Sequence, residues 1–268
     1  MKFLYIGLFF LINLNLYSTP QIVVVTCSYN NKNYYQKNLQ SLFDQTFQDW
    51  VCYYVDDCST DGTYELAYEF AKSQNMLDKM IFIKNKYNLG TLENQYNVIS
   101  ACADRQVIVV LDGDDCFYGS DNLAYIHEVY QDPNVWLTYG SYVPLKEPFP
   151  VFCADVSCAK NINNKDFFRK SRWVFSHLRT FYAGIFKKIK KEDLMFKGKF
   201  LKSCSDHAVM LPMLEMANGE TKHYKYLDKK LYIYNNQNPI CEFRRRDLDT
   251  RLVSFIRNKN SYEAIENF

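Results

Sequence analysis

Four short apolar runs, each followed by a stretch whose apolar residues recur at helical spacing, constrain this chain more than any other feature. Residues 22–26 (IVVVT) are apolar throughout, as a strand covered on both faces should be. Residues 34–43 follow, with Leu39, Leu42 and Phe43 at helical spacing. Residues 51–55 (VCYYV) read as a second strand and 80–83 as a third, with a helix over 63–75 between them that Asp61 can cap. Asn88-Leu89-Gly90 makes a turn into a helix over 91–103, and 107–111 (VIVVL) is a fourth strand. A helix over 120–130 and a strand over 135–139 complete the pattern. Such alternation predicts an α/β fold with a mostly parallel central sheet and helices on both faces. In sheets of this kind ligands bind beyond the carboxyl ends of the strands. Acidic residues gather at those ends: Asp56 and Asp57 after the second strand, and Asp112, Asp114 and Asp115 after the fourth.

After Gly140 the pattern loosens. Residues 141–176 are rich in loop formers, as expected of a stretch that shapes a substrate pocket, and 178–185 read as a strand. A helix bent by Pro212 is expected over 205–216 and a late strand over 231–234. The basic tail carries Arg244-Arg245-Arg246 and then a charged amphipathic end. No internal repeat or low-complexity linker divides the chain, so one domain is expected. With 48% hydrophobic and 23% charged residues, the 268-residue chain has the balance of a globular protein. A net charge of +2 argues against bulk electrostatic attraction to nucleic acid, and no nucleic-acid partner is expected.

Residues 3–16 form an apolar run behind Met1-Lys2, broken by Asn13 and Asn15. As a helix it would reach about 21 Å, short of the ~30 Å hydrocarbon core of a membrane. Residues 1–19 therefore read as a secretory signal peptide, or else as a short hydrophobic anchor. The expected location is a secretory lumen, a periplasm or a membrane surface with peripheral association, and the cytoplasm is the alternative. The nine cysteines show no CxxC pair or zinc spacing, and only Cys153 and Cys158 are a plausible local pair. That usage fits a reducing compartment slightly better than an oxidising one.

A lone D-x-D means little, but here it follows VIVVL. A strand that stops in carboxylates aims hard oxygen ligands at one point, and Mn²⁺ or Mg²⁺ accepts such ligands while keeping positions open for phosphate oxygens. The bland reading is a solvated acidic turn capping the next helix. A phosphatase using the first Asp of D-x-D-x-[T/V] is disfavoured, because Cys116 stands at the fifth position. Neither G-x-x-x-x-G-K-[S/T] nor G-x-G-x-x-G is present.

Taken together these segments resemble the family 2 glycosyltransferases, which have the nucleotide-sugar-binding GT-A fold. IVVVTCSYNN, SLFDQTFQDW, VDDCSTDGT, NLGTLEN, VVLDGDDCF and CSDHAVMLPMLE match in the family's order and at its usual spacing over most of 21–216. The resemblance implies a nucleotide-sugar-binding half over 20–140 and an acceptor and catalytic half over 141–240, with 241–268 as tail. It implies that Ser28 and Tyr29 line the base and ribose, and that Asp57 accepts a hydrogen bond from a uracil N–H. Asp112 is implied on the ribose side, Asp114 as the metal ligand bridging the diphosphate, and Asp115 beside the donor sugar or the metal. Asp206 resembles the catalytic base, taking the acceptor hydroxyl's proton in a single inverting displacement. Arg179, in HLRTF, is a candidate for diphosphate or sugar binding, with an ordinary ion-pair role as the equal alternative. His207 could touch donor or acceptor, or simply fill a partly buried space.

Two departures stand out. Glu93 occupies the position where many members carry Arg, and Tyr234-Asn235-Asn236-Gln237-Asn238 offers no late His near the metal. The expected function is an inverting, metal-dependent transfer of a sugar from a nucleotide-diphosphate donor, with a UDP-sugar the expected one, to a glycan, lipid-linked or protein-linked saccharide or other hydroxyl acceptor. The alternatives are a nucleotidyltransferase, which should carry a Gly-rich basic loop that CSYNNKNYY lacks, or a degenerate protein that binds glycans or nucleotide sugars without turnover.

Overall fold

The computed structural model describes residues 21–240 and 246–268. In chain order the elements are β1 (Ile22–Ser28), α1 (Tyr35–Phe43), β2 (Trp50–Asp56), α2 (Thr63–Ser73), β3 (Met80–Lys84), α3 (Thr91–Ala101), β4 (Val107–Val110) and β5 (Cys116–Phe117). There follow α4 (Asn122–Val129), β6 (Leu137–Pro144), α5 (Phe167–Lys170), β7 (Thr180–Tyr182), α6 (Ala183–Lys187), β8 (Met195–Phe196), β9 (Lys199–Phe200), α7 (Ser205–Met216), β10 (Tyr224–Tyr234) and α8 (Arg246–Arg257).

One eight-stranded sheet runs in the order β3-β2-β1-β4-β7-β6-β10-β5. The pairs β2–β3, β1–β2, β1–β4 and β6–β10 are parallel, β7 runs antiparallel between β4 and β6, and β5 is antiparallel at the edge. The uniformly apolar β1 and β4 lie at its centre, buried from both faces, as their sequences require. Strand order moves outward from β1 to β3 and then returns to β4. With right-handed crossovers this reversal puts α3 on the face opposite α1 and α2.

Strand direction decides where the site forms. β1, β2 and β4 all finish at one edge of the sheet, with Ser28 opposite Asp56 and Val25 opposite Val110. Because β7 is antiparallel, its first residue, Thr180, lies opposite Val109, so the chain before it enters at that same edge. β10, parallel to β6, also finishes there. Segments from five strands therefore meet above one rim.

Several expectations need correction. The strand expected over 178–185 is only Thr180–Tyr182 and turns at once into α6. It ends where β4 begins: the amides of Ala183 and Gly184 donate instead to Gln106 and Asp104, in the turn before that strand. The late strand is Tyr224–Tyr234, longer than 231–234, because Tyr224–Leu227 pairs with Leu137–Gly140 before a bulge. The intervening exposed Asp228, Lys229 and Lys230 hide that continuity in the sequence. Cys153 and Cys158 are free thiols rather than a pair. The expected secretory or membrane-associated location is also overturned: among the described residues no helix is long and apolar enough to cross a membrane. Residues 1–20, on which that expectation rested, lie outside the described residues, as do Arg244 and Arg245.

Candidate active site

The end of β1 supplies the first wall. Buried Ser28 accepts from the Tyr54 hydroxyl at 3.0 Å and from Asn31 Nδ2 at 3.1 Å, while Tyr29 stands partly exposed on the rim. The Asp57 amide donates to the Ser28 carbonyl at 2.8 Å, tying the ends of β1 and β2 together. Buried Asp57 turns its carboxylate toward the loop before α3, where it accepts from Leu89 N and Gly90 N at 2.8 Å each and from Asn85 Nδ2 at 2.9 Å.

The acidic loop after β4 lies beside this wall. Asp112 Oδ2 faces Arg179 Nη2 at 3.4 Å and the Tyr232 hydroxyl at 3.5 Å. Burial lifts its carboxyl above the usual range against the pull of Arg179. Asp114 accepts from Asn238 Nδ2 at 2.6 Å, and burial, with Asp112 adding, pushes its carboxyl up to about 6. Asp115 is the most enclosed, accepting from the Tyr232 hydroxyl at 2.7 Å and from Asn235 N at 2.6 Å. Burial first, then Asp114 and Asp112, hold its carboxyl well above the ordinary value.

The opposite wall comes from the segment before β7 and the start of α7. Arg179 Nη2 lies 3.2 Å from His177 Nδ1, and Arg179 Nη1 lies 3.8 Å from Asp206 Oδ2. One guanidinium thus spans Asp112 and Asp206, residues far apart in sequence. Asp206 Oδ1 is held by the His207 backbone N at 2.8 Å and by the His207 ring Nδ1 at 3.0 Å. The His207 ring in turn stacks on Trp173 at 3.7 Å. Burial raises the Asp206 carboxyl, but His207 and Arg179 more than reverse this and hold it below the usual carboxylate range. With 28% of its side chain exposed, Asp206 remains open to solvent.

The sequence-derived residues Ser28, Tyr29, Asp57, Asp112, Asp114, Asp115, Arg179 and Asp206 thus come from the ends or entrances of neighbouring elements at one rim. One carboxylate and imidazole cluster at the rim could hold a metal ion. Donor atoms of Asp112, Asp115 and His177 lie within 4.8 Å of one another, and Asp114 is not in that group. Burial, and then Arg179, keep the His177 imidazole well below its ordinary pKa, so it is neutral. The set fits a divalent cation on two grounds. Burial and neighbouring carboxylates raise the Asp112 and Asp115 carboxyls despite the adjoining Arg179, a strain a bound cation would relieve, and a carboxylate-rich set suits Mn²⁺ or Mg²⁺, with the imidazole favouring Mn²⁺.

Sequence reasoning left His177 without a metal role and missed Tyr232, Asn235, Asn238 and Trp173. Tyr232 lies within LYIY, which reads only as a strand, and nothing local marks its hydroxyl as the partner of Asp115. The stack of His177 on Tyr232 at 4.4 Å is equally non-local.

The match to known proteins agrees with this arrangement. The sequence model of Glycosyl transferase family 2 matches residues 23–192. An uncharacterized glycosyltransferase of Haemophilus influenzae is 34% identical over 97 residues, which is 36% of this chain and 28% of that protein. Among the first curated relatives the match covers 28 to 36% of their length. S. aureus TarS 1-349 in complex with UDP-GlcNAc has the same fold, at TM-score 0.62 and 17% identity over 88% of this chain and 66% of that one. The mannosyltransferase PcManGT from Pyrobaculum calidifontis, in complex with GDP-Man and Mn²⁺, gives TM-score 0.61 and 14% identity over 91% of this chain and 66% of that one. On the strength of the family match over most of its length and of the shared GT-A fold, the chain belongs to glycosyl transferase family 2.

Proposed function

We propose that the protein transfers a sugar from a uridine-diphosphate donor to a hydroxyl acceptor with inversion at the anomeric carbon. The observation that carries this reading is the single span Asp112–Arg179–Asp206, which joins a donor-side carboxylate to a base candidate through one guanidinium. Ser28, Tyr29 and Asp57 form the base end of the donor site. A carboxylate there accepts the uracil ring N–H, which cytosine lacks. Residues 20–140 carry this donor half, and 141–240 supply the acceptor side.

In the reaction Asp206 Oδ2 takes the acceptor's proton while the acceptor oxygen bonds to the anomeric carbon. The bond from that carbon to the diphosphate oxygen breaks, and its electron pair leaves with the phosphate. His207 holds Oδ1 and leaves Oδ2 for this task. The depressed pKa of Asp206 keeps it ionised across the neutral range. Arg179 stands between Asp112 and Asp206, where it faces both the leaving diphosphate and the base. Asp112, Asp115 and His177 are the residues that would hold Mn²⁺ or Mg²⁺, with Asp114 beside them. When bound, the ion neutralises charge on the departing diphosphate. The fold-level likeness to proteins captured with UDP-GlcNAc and with GDP-Man and Mn²⁺ supports a nucleotide sugar as donor and a divalent ion as cofactor.

The test is nucleoside diphosphate release from a panel of UDP-, GDP- and CDP-sugars, with Mn²⁺ and after chelation. Release from UDP-sugars that stops on chelation is expected. Release from CDP-sugars alone would remove the role given to Asp57, and undiminished release after chelation would remove the metal.

A further inference from the structure

Two consecutive peptide units in the turn before α3 are gripped from both ends. Their N–H groups, on Leu89 and Gly90, donate to opposite oxygens of the Asp57 carboxylate at 2.8 Å each. Their C=O groups, on Asn88 and Leu89, both accept from Lys202 Nζ, at 3.2 Å for Asn88. An ammonium on a carbonyl oxygen polarises that peptide and makes its own N–H a stronger donor. Opposite charges at the two ends therefore act in series through the same two planes. Steric evidence points the same way. Gly90 has φ +85°, and a Cβ there would meet Lys202 Cδ at 3.0 Å, so the lysine stem is packed on the turn as well as bonded to it. Asn88 Nδ2 closes the arrangement by donating to the Asp57 backbone carbonyl at 3.2 Å.

Lys202 belongs to the stretch that leads from β9 into α7, the helix that begins with Ser205 and Asp206. Asp57 follows directly on the end of β2, on the other side of the same turn. We propose that Lys202 is a positioning residue for the base end of the donor site: by holding the turn 88–90 from its carbonyl side it fixes the Asp57 carboxylate, and with it the preference for uracil over cytosine. This rests on the reading of Asp57 as the uracil acceptor. It also ties base recognition to the segment that carries the catalytic aspartate.

The test uses the full chain at saturating Mn²⁺ and measures UDP and CDP affinity by calorimetry for the wild type, Lys202→Met, Lys202→Arg and Asp57→Asn. Lys202→Met is expected to weaken UDP by about five- to tenfold, the size of a lost charge-assisted hydrogen bond at a partly exposed site, and CDP by less than about twofold. Lys202→Arg should restore most of the UDP-to-CDP ratio, since it keeps the cation. Should Lys202→Met fail to give folded protein by its melting profile, Lys202→Gln serves in its place. An unchanged ratio in the Met variant, alongside a collapsed ratio in Asp57→Asn, would overturn the positioning role while leaving the base site standing. Equal weakening of both nucleotides would overturn it too, by assigning the ammonium to the diphosphate. A ratio unmoved by Asp57→Asn would instead sink the underlying reading of Asp57, and the inference with it.

Discussion

At Gly113 a Cβ would lie 2.8 Å from the Cys27 carbonyl oxygen, 2.8 Å from Ser28 Cβ and 2.9 Å from Asn31 Nδ2. The acidic loop can therefore pass close over the end of β1 only because its middle residue has no side chain. This contact sets Asp112 and Asp114 against the end of β1. Asp206 is placed by different means, with one oxygen fixed by a backbone amide and a stacked imidazole and the other left toward Arg179. Replacing it tests its proposed role as the base. Asp206→Asn keeps the size and much of the hydrogen bonding but cannot take a proton. Turnover should fall by roughly two to four orders of magnitude, with UDP affinity kept within about twofold. Steady-state kinetics paired with a binding isotherm reads both, and wild-type turnover in this variant would strip Asp206 of the role.

Among the elements, α7 links the site to the tail of the chain. Its first turn carries Asp206, and near its end buried Glu215 forms a paired contact with Arg169, whose Nη1 also donates to the Ile256 carbonyl of α8. Residues 258–268 then fold back along the molecule. Tyr262 N donates to Glu215, its hydroxyl donates to Asp193 at 2.6 Å, and Lys259 pairs with Asp193 at 3.0 Å. Burial raises the Asp193 carboxyl, but the Tyr262 hydroxyl and Lys259 outweigh it, so its pKa lies below the ordinary value. A depressed carboxylate contributes stability that is full above its unfolded pKa, about 3.9, and is lost as pH falls through the lower folded value. The gap in melting temperature between wild type and Asp193→Asn should accordingly be widest near neutral pH and narrow as pH falls below about 4. A gap that stays constant across that range would show that Asp193 acts through packing alone.

On the scale of the whole molecule, the proposed donor site draws on β1, β2, β4 and the entrance to β7, so nucleotide binding should stiffen the sheet rather than one loop. UDP with Mn²⁺ at about a hundred times its Kd should add ~2.7 kcal/mol of stability, which for a chain of this size is a melting-temperature rise of roughly 5–10 °C. A chelator should abolish most of that rise. If UDP stabilised the protein equally without a divalent ion, the Asp112–Asp115–His177 group would lose its proposed task.

Much of this architecture was legible in the amino-acid sequence for a physical reason. A strand covered on both faces must be almost wholly apolar, so IVVVT and VIVVL declared themselves, and the carboxylates that follow VCYYV and VIVVL marked the rim where a ligand is proposed to bind. The helices α1, α2, α3 and α7 likewise followed from local spacing and turn residues. What no local pattern encodes is direction and order in the sheet. β7 is three residues long, and its antiparallel insertion beside β4 is what carries His177 and Arg179 to Asp112. The same holds for Asn238 against Asp114, Tyr232 against Asp115, and Lys202 against the turn before α3. The sequence by itself determined the central strands β1, β2, β3 and β4 and where charge would gather. The tertiary structure alone decided which distant side chains meet that charge, because contact between remote segments depends on how the sheet is ordered and on the burial that holds it together.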